Sequence, residues 1–132
     1  MKVFLPDTNI LVDALNGKRG RQLLLSELVL KGHALACCSV TVAEVYSGMR
    51  PHEAARTEQL LSSLVWYEIT RAVARRAGRL RFDWARQGAT LSLADTLIAA
   101  TALEHGLTLI TDNRKHFPMP ELLLHSIPGE SL

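Results

Sequence analysis

Five short apolar runs rich in strand-forming residues are spread along this chain, separated by longer stretches of helical period. The runs are Lys2–Pro6, Ala34–Val40, Val65–Ile69, Leu107–Thr111 and Leu122–Ile127, the last read as an edge strand. They are near-continuously apolar rather than alternating, as strands buried on both faces are. Strands that alternate with helices build a parallel sheet covered on each side. Right-handed crossovers then bring the carboxyl ends of the strands to one edge, where such sheets hold their ligands.

The intervening helices are expected over Asn9–Asn16, Arg19–Lys31, Thr41–Met49, His52–Ser63, Arg71–Gln87 and Ser92–His105. Gly17, Gly32, Gly88 and Gly106 follow four of them as stops, and Pro51 closes a fifth. At 132 residues, 48% of them apolar, the chain reads as one α/β domain spanning 1–132, with enough core to fold unaided. No apolar stretch reaches membrane-spanning length. Cys37 and Cys38 are neighbours, so on a strand they face opposite ways and pair badly. Core thiols in a reducing cytoplasm are the reading they suggest.

Acidic residues recur at the strand ends. Asp7 follows Val3-Phe4-Leu5-Pro6, Glu44 follows the second run by one short turn, Asp95 opens an Ala/Leu-rich helix, and Asp112 follows the fourth run. Each has an ordinary structural explanation. Thr41-Val42-Ala43-Glu44 and Ser92-Leu93-Ala94-Asp95 fit capping patterns, Asp7 fits a helix cap, and Asp112 fits a turn. Taken together they place four carboxylates from four segments along one predicted edge. Such a group repels itself, and an oxygen-only donor set suits Mg²⁺ or Mn²⁺ better than zinc. Carboxylates holding a hard cation opposite a phosphodiester are the apparatus of metal-assisted hydrolysis.

Four segments carry a family resemblance: Pro6-Asp7-Thr8-Asn9-Ile10-Leu11, Ser39-Val40-Thr41-Val42-Ala43-Glu44-Val45-Tyr46-Ser47-Gly48, Leu93-Ala94-Asp95-Thr96-Leu97-Ile98-Ala99-Ala100-Thr101-Ala102 and Leu109-Ile110-Thr111-Asp112-Asn113-Arg114-Lys115-His116-Phe117. In order and spacing the chain resembles the PIN-domain ribonucleases, most closely the VapC-type toxins of bacterial toxin–antitoxin pairs. The resemblance implies a three-layer α/β/α fold with a mainly parallel sheet of four to five strands. It further implies a Mg²⁺- or Mn²⁺-dependent endoribonuclease, an antitoxin partner and a homodimer. Asp7, Glu44 and Asp95 then correspond to the core catalytic and metal-binding acids. Thr8, Asn9 and Thr111 correspond to polar residues that support them. The fourth acid is Asp112, favoured for its charge, or the site is completed by Asn113 beside it, which would favour a single ion.

Rival readings are separable. A phosphatase with Asp7 as nucleophile wants a second acid two residues on, where Asn9 stands. A DNA nuclease of related fold needs clamping elements for which this chain is short. A PIN-like module that binds RNA or protein without catalysis would have little use for all the acids. The net charge is only +2, yet six arginines fall between Arg71 and Arg86. Arg71, Arg75 and Arg79 form a stripe at four-residue spacing, either a solvated face or a seat for RNA phosphates or an antitoxin segment. The five histidines are scattered, without metal-ligand spacing.

Overall fold

In a computed structural model that describes residues 1–127, five strands form one sheet in the order β3-β2-β1-β4-β5; the last five residues of the expected 1–132 domain lie outside that range. Strands β1 (Val3–Pro6), β2 (Ala34–Cys38), β3 (Val65–Tyr67), β4 (Thr108–Ile110) and β5 (Leu123–Leu124) all pair in parallel. Helices α1 (Thr8–Leu15), α2 (Arg21–Leu30), α3 (Ser39–Ser47), α4 (Ala54–Ser62), α5 (Arg71–Arg86) and α6 (Leu93–His105) connect them.

Alternation along the strands divides the core in two. Phe4, Leu35, Cys37 and Ile110 pack with Ile10, Leu11, Leu25, Leu28, Val45 and Leu61 of the first four helices. Their immediate neighbours Leu5, Ala36, Cys38 and Leu109 face the other way, onto Ile98, Ala99 and Ala102 of α6. α5 closes that side through Val73 and Ala77 against Ala100. The result is the α/β/α sandwich that the apolar strands imply. Cys37 and Cys38 lie in opposite halves of the core and are both free thiols.

Most boundaries shift by one or two residues from the sequence reading, and three shifts are instructive. β3 stops at Tyr67 and β5 spans two residues, because Ile69 and Ile127 are apolar for packing against helices rather than for strand pairing. α3 starts at Ser39, two residues earlier than expected. The buried Thr41 hydroxyl accepts from Cys38 N at 3.0 Å and occupies the capping role itself. Trp66 sits on the edge strand 53% exposed, its indole donating to Leu61 O at 2.7 Å. Among the described residues no helix is long and apolar enough to cross a membrane.

Candidate metal centre

The site is built at the carboxyl edge of the two central strands. Asp7 follows β1 directly and is buried. Its backbone N–H donates to Ile110 O of β4 at 2.8 Å, so the end of one strand is pinned to the end of its neighbour. The carboxylate caps α1, with Oδ1 accepting from Thr8 N at 2.9 Å. Oδ2 accepts from the Thr111 hydroxyl at 2.9 Å, and that hydroxyl in turn accepts from Asn113 N at 3.0 Å. The cap and the Thr111 bond together hold the carboxylate in place.

Burial raises the Asp7 carboxyl above its usual range; the Thr111 and Thr8 hydrogen bonds oppose this, and the nearby Asp95 and Glu44 charges push it further up. Three acids from three elements therefore lie within electrostatic reach. Glu44, exposed on α3, is not folded back on Thr41. Its Oε1 accepts from the Thr8 hydroxyl at 2.6 Å. Asp95 sits in the first turn of α6, where its backbone N–H donates to the Ser92 hydroxyl at 3.0 Å, giving half of the expected capping pattern. Its carboxylate instead approaches His116 Nδ1 at 3.5 Å.

Asp112 faces different company. Its Oδ1 accepts from Arg21 Nη2 at 2.6 Å, and Arg19 Nη1 lies 3.2 Å from Oδ2. Arg21 is buried and also donates to Arg19 O at 3.0 Å. That clamp ties the loop after β4 to the start of α2, where Arg19 (φ +58°) and Gly20 (φ +69°) turn left-handed and both guanidinium groups reach Asp112, Arg21 from within and Arg19 from the surface. Asn113 reaches Thr111 through its backbone, and the exposed Asn9 side chain makes no hydrogen bond to the acids. Arg71, Arg75 and Arg79 are exposed on the outer face of α5 and make no hydrogen bond or ion pair with the acids. Sequence reading missed Arg21 and His116: one lies 91 positions from its partner, and the other is one of several scattered histidines with no spacing signal.

Among the described residues no three His, Cys, Asp or Glu side chains are drawn close enough to enclose an ion unaided. The side chains of Asp7, Glu44 and Asp95 offer oxygen donors alone, a chemistry that fits a hard divalent cation.

Residues 4–120 match the PIN domain family. Ribonuclease VapC19 of Mycobacterium tuberculosis is 38% identical over 117 residues, covering 88% of this chain and 94% of that protein. Ribonuclease VapC10 of the same organism is 37% identical over 130 residues, with 96% of each chain covered. Among solved structures, VapBC2 from Rickettsia felis bound to a DNA fragment from their promoter matches with a TM-score of 0.82 and 27% identity, over 93% of this chain and 97% of that one. A toxin–antitoxin complex from Klebsiella pneumoniae matches with a TM-score of 0.74 and 31% identity, over 96% and 97%. The chain belongs to the PIN-domain family, in its VapC branch.

Proposed function

We infer that this protein is a metal-dependent endoribonuclease, the toxin of a toxin–antitoxin pair, that hydrolyses RNA phosphodiester bonds. The observation that carries the reading is the buried Asp7 carboxylate at the end of β1, its oxygens held by Thr8 N–H and the Thr111 hydroxyl, with Glu44 tied to the same turn through the Thr8 hydroxyl. We assign the cation, Mg²⁺ or Mn²⁺, to Asp7, Glu44 and Asp95. When bound it would polarise a phosphoryl oxygen and acidify a water. The chain's own residues orient and hold protons around that reaction. Thr111 and Thr8 N–H fix both oxygens of Asp7, and the Thr8 hydroxyl fixes Glu44. His116, beside Asp95, is placed to neutralise or hold that carboxylate.

Asp112 has a different part in this reading. Its carboxylate is already held by Arg21 and Arg19, so it anchors the 111–113 loop and keeps Thr111 aimed at Asp7. Asn113 is left as the polar residue of that loop free to face an ion or substrate.

The antitoxin is a further part of the proposal, supported by the paired complexes among the structural relatives. A groove of about 440 Å³ opens between α1, α3 and α4, floored by Val12, Leu15, Val45 and Met49 and edged by Lys18 and Arg50. An apolar segment with acidic flanks fits it. Exposed Leu23, Val29 and Leu30 on α2 support self-association into a homodimer, and free buried thiols suit the cytoplasm. The deciding experiment is sequencing the ends of RNAs incubated with the pure protein and Mn²⁺, beside EDTA and Asp95→Asn controls. Defined new ends that vanish in both controls are expected. Ends that persist with EDTA would refute metal-dependent cleavage.

A further inference from the structure

The outer face of α5 carries a charge stripe that neither the core nor the acid cluster uses. At about 100° per residue, Arg71, Phe82, Arg75, Arg86 and Arg79 fall in that angular order within an arc of about 80°. All five are exposed, and Phe82 is 63% exposed. The helix's other arginines are engaged: Arg76 pairs with Glu104 at 3.1 Å, and Arg81 Nε donates to Leu91 O at 3.0 Å. Among the described residues Arg71, Arg75 and Arg79 have no hydrogen bond or ion pair, while Arg86 lies over the Phe82 ring, 5.8 Å from its centroid. No acid stands on the arc, and Asp83 is turned about 40° beyond its edge.

Like charges at four-residue spacing repel along a helix, so the stripe has no internal purpose. The helix uses arginine and never lysine. Guanidinium groups are flat, forked donors that match phosphate oxygens and stack on rings. An exposed ring among them suits a nucleobase better than an acidic peptide, because single-stranded nucleic acid is held by cationic grooves interleaved with stacking surfaces. We propose that this face of α5 is a secondary binding track for single-stranded RNA, with Arg71, Arg75 and Arg79 on successive phosphates and Phe82 with Arg86 stacking a base. The ligand class rests on the ribonuclease reading.

The track has a direction. The Arg76–Glu104 and Arg81–Leu91 contacts run α5 antiparallel to α6. Its Phe82 end therefore lies toward the amino-terminal end of α6, the end that bears Asp95. RNA held along about 22 Å of helix approaches the acids from that side.

The test is anisotropy of a short labelled single-stranded RNA of mixed sequence, titrated in EDTA between about 50 and 200 mM salt, where cleavage does not intervene. Each phosphate contact contributes about 0.7 to the slope of log affinity against log salt, so Arg71→Gln/Arg75→Gln/Arg79→Gln should flatten it by about 2. Phe82→Ala should weaken binding on the order of tenfold at unchanged slope. Thermal melts of both variants should match the parent, because these side chains are exposed. An unchanged slope in the triple variant overturns the proposal. So does a triple variant that loses self-association in sedimentation while binding RNA normally, since the face would then join protein to protein. Equal competition by double-stranded RNA of the same length would overturn the stacking role. Failure of the ribonuclease reading looks different: no RNA is cut with Mn²⁺, while the slope changes in EDTA persist.

Discussion

Replacing Arg21 by methionine would remove a buried cation and leave its carboxylate behind. Arg21 is 8% exposed, and the Asp112 side chain is 11% exposed at a contact of 2.6 Å. Breaking a buried ion pair from one side costs about 3–5 kcal/mol. Arg19 remains 3.2 Å from the other oxygen, but its side chain is 59% exposed, so water screens much of its help. The loss should therefore fall at or just below the bottom of that range, about 2–3 kcal/mol. With about 2.1 cal/mol/K of unfolding entropy per residue, the midpoint should drop by ~7–11 °C. Arg21→Met/Asp112→Asn removes both charges together and should recover most of that loss. The four melts of the double-mutant cycle should yield a coupling of about 2 kcal/mol, well above the ~0.5 kcal/mol scatter of independent sites. Additive losses would show that the pair is not coupled and that Asp112 directs its charge elsewhere. Cleavage by Asp112→Asn separates the two roles for this residue. A loop anchor loses stability first, whereas a metal ligand loses cleavage at an unchanged melting point.

Further outcomes follow from the acid cluster and the core. Asp7→Asn should lower cleavage by orders of magnitude and abolish the stabilisation by Mn²⁺, which for the parent at 100 times its dissociation constant amounts to about 2.7 kcal/mol; full cleavage by this variant would end the assignment. Because the folded Asp7 carboxyl is raised above 3.8, its contribution to metal-free stability is fully present below that pH and lost as pH rises through the raised value. Affinity for Mn²⁺ should run the opposite way, falling as the carboxyl protonates, and identical acid limbs in melts of parent and Asp7→Asn would contradict this. Burial, with Cys38 alongside, lifts the Cys37 thiol from 9.0 to about 12. The native protein at pH 8–9 should accordingly react slowly with a thiol reagent and release two thiols on unfolding; prompt native reaction at Cys37 would show that its half of the core is open.

The architecture was legible because parallel sheets leave a coarse mark. Apolar runs separated by helical stretches place the strands; strand ends locate Asp7 and Glu44, and a helix start locates Asp95. The capping patterns were misleading at Glu44, since Thr41 satisfies the Cys38 N–H itself and releases the acid toward Thr8. They were informative at Asp7, whose side chain does cap α1. Contacts between remote segments left no local trace. Nothing in Arg19-Gly20-Arg21 signals that a left-handed turn delivers two guanidinium groups to residue 112. Strand length was overread at Ile69 and Ile127 because apolar character reports burial and says nothing of backbone pairing.

The bond between Asp7 and Thr111 spans 104 positions, and β1 lies at the middle of the sheet with β4 beside it. During synthesis β1 must therefore wait for β4, made about a hundred residues later. A ribosome that has produced only α1 to α5 carries a chain lacking Asp95, the β4 neighbour that pins Asp7, and the hydroxyl that holds its carboxylate. A polypeptide that cuts RNA would thus stay harmless to the machinery translating it until β4 and Thr111 have emerged.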